Sequence, residues 1–122
     1  MLKDLVANFV RDELMPLEAG VMQREAEGKG LGIPPEDHAR LDAKAHELGL
    51  FGLDAPEDVG GSDLPMTAMV GAEEEIGGCV TPYTLPPDSP NLRMLMQTVD
   101  DRQRAAYLAP YVAGKTVSAI GI

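Results

Sequence analysis

The sequence predicts an all-α fold, a helical bundle of four to five helices joined by short loops and ending in one unpartnered β-strand over residues 116–122. Three observations carry that expectation. Apolar residues recur every three or four positions through most of the chain. Prolines, acids and glycines bracket those stretches in the places where helices start and stop. The single run with β-branched residues clustered at its ends, TVSAIGI, comes at the end of the chain with no second strand to pair with.

The first helix is predicted over residues 2–27. Leu2, Leu5, Val6, Phe9, Leu14, Leu17 and Val21 fall on one stripe, with Lys3, Asp4, Asp12, Glu18 and Glu25 elsewhere on the wheel. Pro16 interrupts the backbone bonding, yet the phase of the stripe carries on past it, which predicts a kink rather than a break. GKGLGIPP then ends the helix. Its Gly28-x-Gly30-x-Gly32 spacing resembles a dinucleotide-binding loop only on the surface, because such a loop follows a strand and opens a helix, and this one follows a helix and meets two prolines.

A second helix is predicted from Pro35 to Leu48, with Glu36 and Asp37 at its positive end, Leu41, Ala45 and Leu48 as its apolar stripe, and Gly49 as its stop. His38 and His46 are eight residues apart, which is not the spacing of a helical metal pair, so both read as surface or boundary histidines and no metal site is expected. LGLFGLDAPEDVGG (48–61) is extended at Ala55, before Pro56, and turns at Gly60–Gly61. Residues 64–77 form a third helix with Pro65 in its first turn; Met66, Met69, Val70 and Ile76 are expected on one face, with Glu73 at its centre and Glu75 pointing away. Asp88 or Ser89 caps a fourth helix that begins at Pro90 and carries Leu92, Leu95, Met96 and Val99. Asp100–Asp101 opens a fifth, with Ala105, Leu108 and Val112 on one face and Gly114 at its end.

Composition excludes several functions. The 122 residues carry a formal net charge of −10. Residues 45–92 contain nine acids and no Lys or Arg, whereas residues 93–122 contain four basic and two acidic residues. Such a surface repels phosphodiester backbones, so no nucleic-acid partner is expected. No stretch approaches the roughly 20 apolar residues of a membrane span, and the acids within MLKDLVANFVRDE are unlike a signal peptide. With Cys79 as the only cysteine no intramolecular disulfide can form, and a cytoplasmic location fits. Only five aromatic residues are present, so Leu, Val, Ala and seven Met fill the core; Met also suits a flexible apolar pocket.

The order of these pieces resembles the N-terminal helical domain of the acyl-CoA dehydrogenase family. ELMPLEAGVMQRE is similar to that family's first long helix with its internal proline, LGLFGLDAPEDVGGSDL to the segment after its second helix, AEEEIGG to its acid-rich helix, and VDDRQRAAYLAPYVAGKTVSA to the helix and run that precede a Thr-Glu-Pro sequence. LPPDSPNLR resembles a subgroup in which the corresponding helix opens on an APDTGN-type sequence. The resemblance covers essentially the whole chain and implies two parts, 1–115 as the N-terminal helical domain and 116–122 as the start of the middle β-domain, with the chain stopping just before the Thr-Glu-Pro run.

The family resemblance implies α,β-dehydrogenation of an acyl-CoA thioester, with a carboxylate base removing the α-proton, FAD accepting the β-hydride, and an electron-transfer acceptor as partner. In that family the base lies in the C-terminal helical domain and most flavin contacts lie in the β-domain. No catalytic residue is therefore carried over, and Glu73, Glu74 and Glu75 do not inherit the base role because their helix is a different one. The resemblance nominates Tyr83, Leu85, Asn91, Leu92 and Leu95 as substrate-pocket residues and Ile120, Gly121 and Ile122 as the backbone run that reaches the flavin. It implies that the chain is not catalytically competent alone, that FAD belongs to the longer protein, and that apolar faces meant for further domains drive homo-oligomers. A stand-alone helical interaction module, or an acyl-binding module built on the Met-rich helices, is the alternative.

Overall fold

In the computed structural model, which describes residues 1–87 and 89–121, the chain folds into helices grouped in two compact units. The first unit comprises Met1–Leu48 and Thr67–Tyr83. It opens with α1 (Leu2–Phe9) and continues through Val10–Leu14 and Met15–Leu17 into α2 (Glu18–Ala26). The backbone stays helical across Pro16, as the uninterrupted stripe predicts, but it changes gauge. Val10–Leu14 is a π-turn closed by the Met15 N–H on the Val10 carbonyl, and Met15–Leu17 tightens to 3₁₀ geometry. Proline lacks an N–H and crowds the carbonyl four residues back, so a wide turn followed by a tight one lets the helix pass it without breaking. Val6, Phe9, Val10, Leu14 and Val21 are buried along this run.

α3 (Pro35–Glu47) buries Leu41 and Ala45, and Gly49 follows its end with φ +72°, the left-handed conformation that closes a helix. α4 (Met66–Gly77) starts just after Pro65 and buries Met69, Ala72 and Ile76. The expected face is displaced here. Met66 and Val70 are exposed at 46% and 61%, and Glu73 is exposed rather than central to the buried stripe. The small residue Ala72 joins the stripe that Met69 and Ile76 define, and successive helical residues turn by about 100°, which carries position 73 out toward solvent.

The second unit comprises Gly49–Met66 and the chain from Thr84 onward. The segment LGLFGLDAPEDVGG folds back on itself: Ser62 N–H donates to the Gly52 carbonyl, Asp63 N–H to Ala55 and Leu64 N–H to Leu53, at 2.8–2.9 Å. Gly61 packs so closely on Ala55 that a Cβ there would lie 2.0 Å from the Ala55 carbonyl oxygen. The stretch is thus a sealed loop with no preceding strand, which agrees with its reading as a turn. α5 (Ser89–Thr98) follows; Asp88, one of the two capping candidates, lies outside the described residues. Asp100 caps α6 (Asp101–Gln103) through a reciprocal capping box with Gln103. Arg104–Leu108 is a second π-turn, leading into α7 (Ala109–Val112). The widened turn shifts the helical phase, so Leu108 and Val112 are buried while Ala105, expected on the same face, is exposed.

The strand expected over 116–122 is absent among the described residues: positions 117–121 have no regular structure, and no other strand occurs to pair with them. A strand is held by ladder bonds to a neighbour, and the β-branched composition of this run has no such neighbour to act on. Ile122 lies outside the described residues.

Candidate functional site

The nominated pocket residues sit differently in the two units. In the second unit Leu92 is fully buried on α5, in a cluster with Ala55, Leu108, Tyr111 and Val112, against which Leu95, Met96 and Val99 pack. Leu85 is buried as well. Leu95 is half-buried and lines an open, mostly apolar groove of about 200 Å³ together with Tyr107, Tyr111, Thr116, Val117 and Ser118. Of the five substrate candidates Leu95 alone lines this groove, while Leu85 and Leu92 serve the core of the unit.

Asn91 is the polar member of the set and is only 7% exposed. Its Nδ2 donates to Ser118 Oγ at 2.6 Å, and Ser118 Oγ donates in turn to Tyr111 Oη at 3.1 Å. A chain of polar atoms therefore joins α5, the segment after α7, and α7 itself. Asp54, before Ala55-Pro56, places its nearly covered carboxylate 3.9 Å from Arg93 Nη2.

Tyr83, the remaining substrate candidate, belongs to the first unit and is 3% exposed. Its hydroxyl donates to Asp42 Oδ1 at 2.9 Å, and its ring centre lies 5.7 Å from that of Phe9 and 5.8 Å from that of His38. Asp42 Oδ2 is also 3.1 Å from His38 Nδ1. Burial, and after it the hydrogen bond to Asp42, pushes the Tyr83 phenol well above the usual tyrosine range. The turn before Tyr83 is fastened to the irregular part of the first helical run: Thr81 Oγ1 donates to the Leu14 carbonyl at 2.8 Å, and Val80 N–H donates to Glu18 Oε1 at 2.9 Å. Burial raises the Cys79 thiol above its ordinary range.

The cofactor candidates Ile120 and Gly121 are exposed, Ile120 at 62%, and the third, Ile122, lies outside the described residues. Among the acids of α4, Glu74 and Glu75 flank Lys3 Nζ at 2.9 and 3.4 Å. Both histidines lie on the surface, as expected from their spacing. No group of three or more His, Cys, Asp or Glu among the described residues could hold a metal ion, and no described helix is long and apolar enough to cross a membrane. Reading the sequence missed Asp42, Thr81, Tyr111 and Ser118, since each acquires its polar partner through the fold and no local spacing singles any of them out.

Comparison with known proteins places this helical architecture. The description "Acyl-CoA dehydrogenase, N-terminal domain" matches residues 1–115, and the chain belongs to the acyl-CoA dehydrogenase family. The chain is similar to the (R)-benzylsuccinyl-CoA dehydrogenase of Thauera aromatica, with 38% identity over 129 residues that cover 98% of this chain and 32% of that protein. It thus spans about a third of the length of this curated relative. No solved structure matches it. The family consists of oxidoreductases that act on acyl-CoA substrates and are in general FAD-dependent.

Proposed function

We propose that this chain is the N-terminal substrate-pocket domain of an FAD-dependent acyl-CoA dehydrogenase, catalysing α,β-dehydrogenation of an acyl-CoA thioester only together with the domains that carry the base and most of the flavin site. The observation that carries this reading is the family match over residues 1–115 of a chain folded as helices. In this reading residues 116–122 begin the middle β-domain. Within the second unit Leu85, Asn91, Leu92 and Leu95 form or back the acyl-chain wall, with Leu95 presenting apolar surface and the others fixing its shape; Tyr83 is a separate candidate in the first unit.

Toward the flavin the described residues offer main chain. Ile120 and Gly121 are exposed, and the space where a Gly121 side chain would stand is open. That leaves room for close approach of one flavin edge, which fits a domain sharing its cofactor with others. When bound, FAD would accept the hydride; these residues would only bound its site.

The whole gene product is expected to be a yellow flavoprotein that reduces an electron-acceptor dye with some acyl-CoA, and (R)-benzylsuccinyl-CoA belongs in the panel beside straight-chain thioesters. The 122-residue chain alone is expected to give no turnover. A whole gene product without extractable flavin would overturn the proposal. Self-association belongs to the same reading, through exposed apolar side chains such as Val70 and Tyr107, and sedimentation of a monodisperse monomer at high concentration would contradict it.

A further inference from the structure

Every residue from Ala113 to Gly121 is exposed except Ser118, which is half-buried. Two nearly buried polar side chains converge on its hydroxyl, Asn91 (7% exposed) from α5 and Tyr111 (4% exposed) from α7, at 2.6 and 3.1 Å. The hydroxyl uses both of its capacities, accepting from the Asn91 amide and donating to the Tyr111 oxygen. Buried polar groups are costly unless satisfied, so Asn91 and Tyr111 favour the arrangement in which Ser118 lies between them. Among the described residues no ladder bonds hold this segment, and the three-residue polar clamp does.

We propose that Asn91, Ser118 and Tyr111 form a clamp that anchors the segment after α7 to the second unit and thereby sets where the Ile120–Gly121 main chain meets the flavin edge. Ser118 and Tyr111 are positioning residues in this scheme, acting through the two residues that follow Ser118 at a distance of only two and three positions. The flavin half of the proposal rests on the functional reading above. The clamp itself rests on the geometry alone.

The test uses the whole gene product with Ser118→Ala, Ser118→Thr and Tyr111→Phe. Trypsin cleavage after the exposed Lys115 reports local release of the segment under native conditions. Cleavage after Lys29, in the first unit, serves as the internal control. Loss of the hydroxyl removes both bonds of the clamp and is expected to speed cleavage after Lys115 by roughly tenfold or more, with the threonine variant restoring the slow rate. FAD titration of the apoprotein is expected to weaken in parallel for Ser118→Ala and to recover in Ser118→Thr. Unchanged cleavage in Ser118→Ala overturns the clamp. Faster cleavage with unaltered FAD affinity overturns its role in placing the flavin edge. A wild-type protein that takes up no FAD defeats the functional reading instead, and the cleavage comparison still decides the clamp.

Discussion

Gly61 shows how a single hydrogen in place of a methyl group shapes the second unit. A Cβ there would stand 2.0 Å from a backbone oxygen, which cannot swing aside. At Gly114, where φ is +69°, the Cβ would meet the Phe51 ring at 2.4 Å, and a ring can move. Gly61→Ala is therefore expected to cost about 3 kcal/mol and Gly114→Ala about 1–2 kcal/mol, an order that urea unfolding would check. Tyr83 gives a pH signature. Its phenol is raised by burial and by Asp42, so the neutral form is favoured in the folded state. The resulting stabilisation is complete below the ordinary tyrosine pKa of about 10 and is lost as pH rises beyond it toward the folded value. Unfolding free energies measured from pH ~8 to pH ~11 should fall over the alkaline part of that range. Tyr83→Phe should flatten the fall while costing about 1 kcal/mol at neutral pH through loss of the Asp42 bond.

Helices and turns were the parts most open to reading from the chain. Pro35, Gly49 and the Asp100–Asp101 pair marked their boundaries because propensity and capping act over a few residues, and the folded chain uses all three. What escaped were phase and partnership. Regular 100° steps put Ala105 and Glu73 on the apolar faces, whereas a π-turn moves one and the position of a small alanine decides the other. Strand composition at 116–122 had no pairing partner to make it a strand. The polar contacts of the candidate site, such as Asn91 with Ser118 and Tyr83 with Asp42, join residues 27 and 41 positions apart, a separation over which pattern carries no signal. Two element-level contacts can be tested by thermal unfolding. Thr81→Val, which strips the donor from the Leu14 carbonyl, is expected to cost about 1–2 kcal/mol. Asp100→Ala, which removes the capping box, is expected to cost about 1 kcal/mol.

Charge is the property of the whole molecule that constrains its proposed role most. The absence of Lys and Arg between residues 45 and 92 leaves the stretch that includes the Tyr83–Leu92 candidates without a cation for the phosphates of coenzyme A. An acyl-pocket wall of this kind can receive the hydrocarbon end of a thioester while the nucleotide end is held elsewhere. Calorimetry with the 122-residue chain is accordingly expected to show no saturable heat with an acyl-CoA. The same titration of the whole gene product is expected to show binding, and saturable binding by the short chain would favour the acyl-binding alternative over a shared pocket.

The two π-turns share a neighbour: Val10–Leu14 ends two residues before Pro16, and Arg104–Leu108 ends two residues before Pro110. A π-turn accommodates one residue more than the α-helix it interrupts. Removing one residue together with either proline would restore regular α-helical bonding and keep the flanking side chains in phase. Sequence length within these two helices is therefore expected to vary together with proline content, and an alignment of relatives checks it: those lacking either proline should be shorter by one residue just before it.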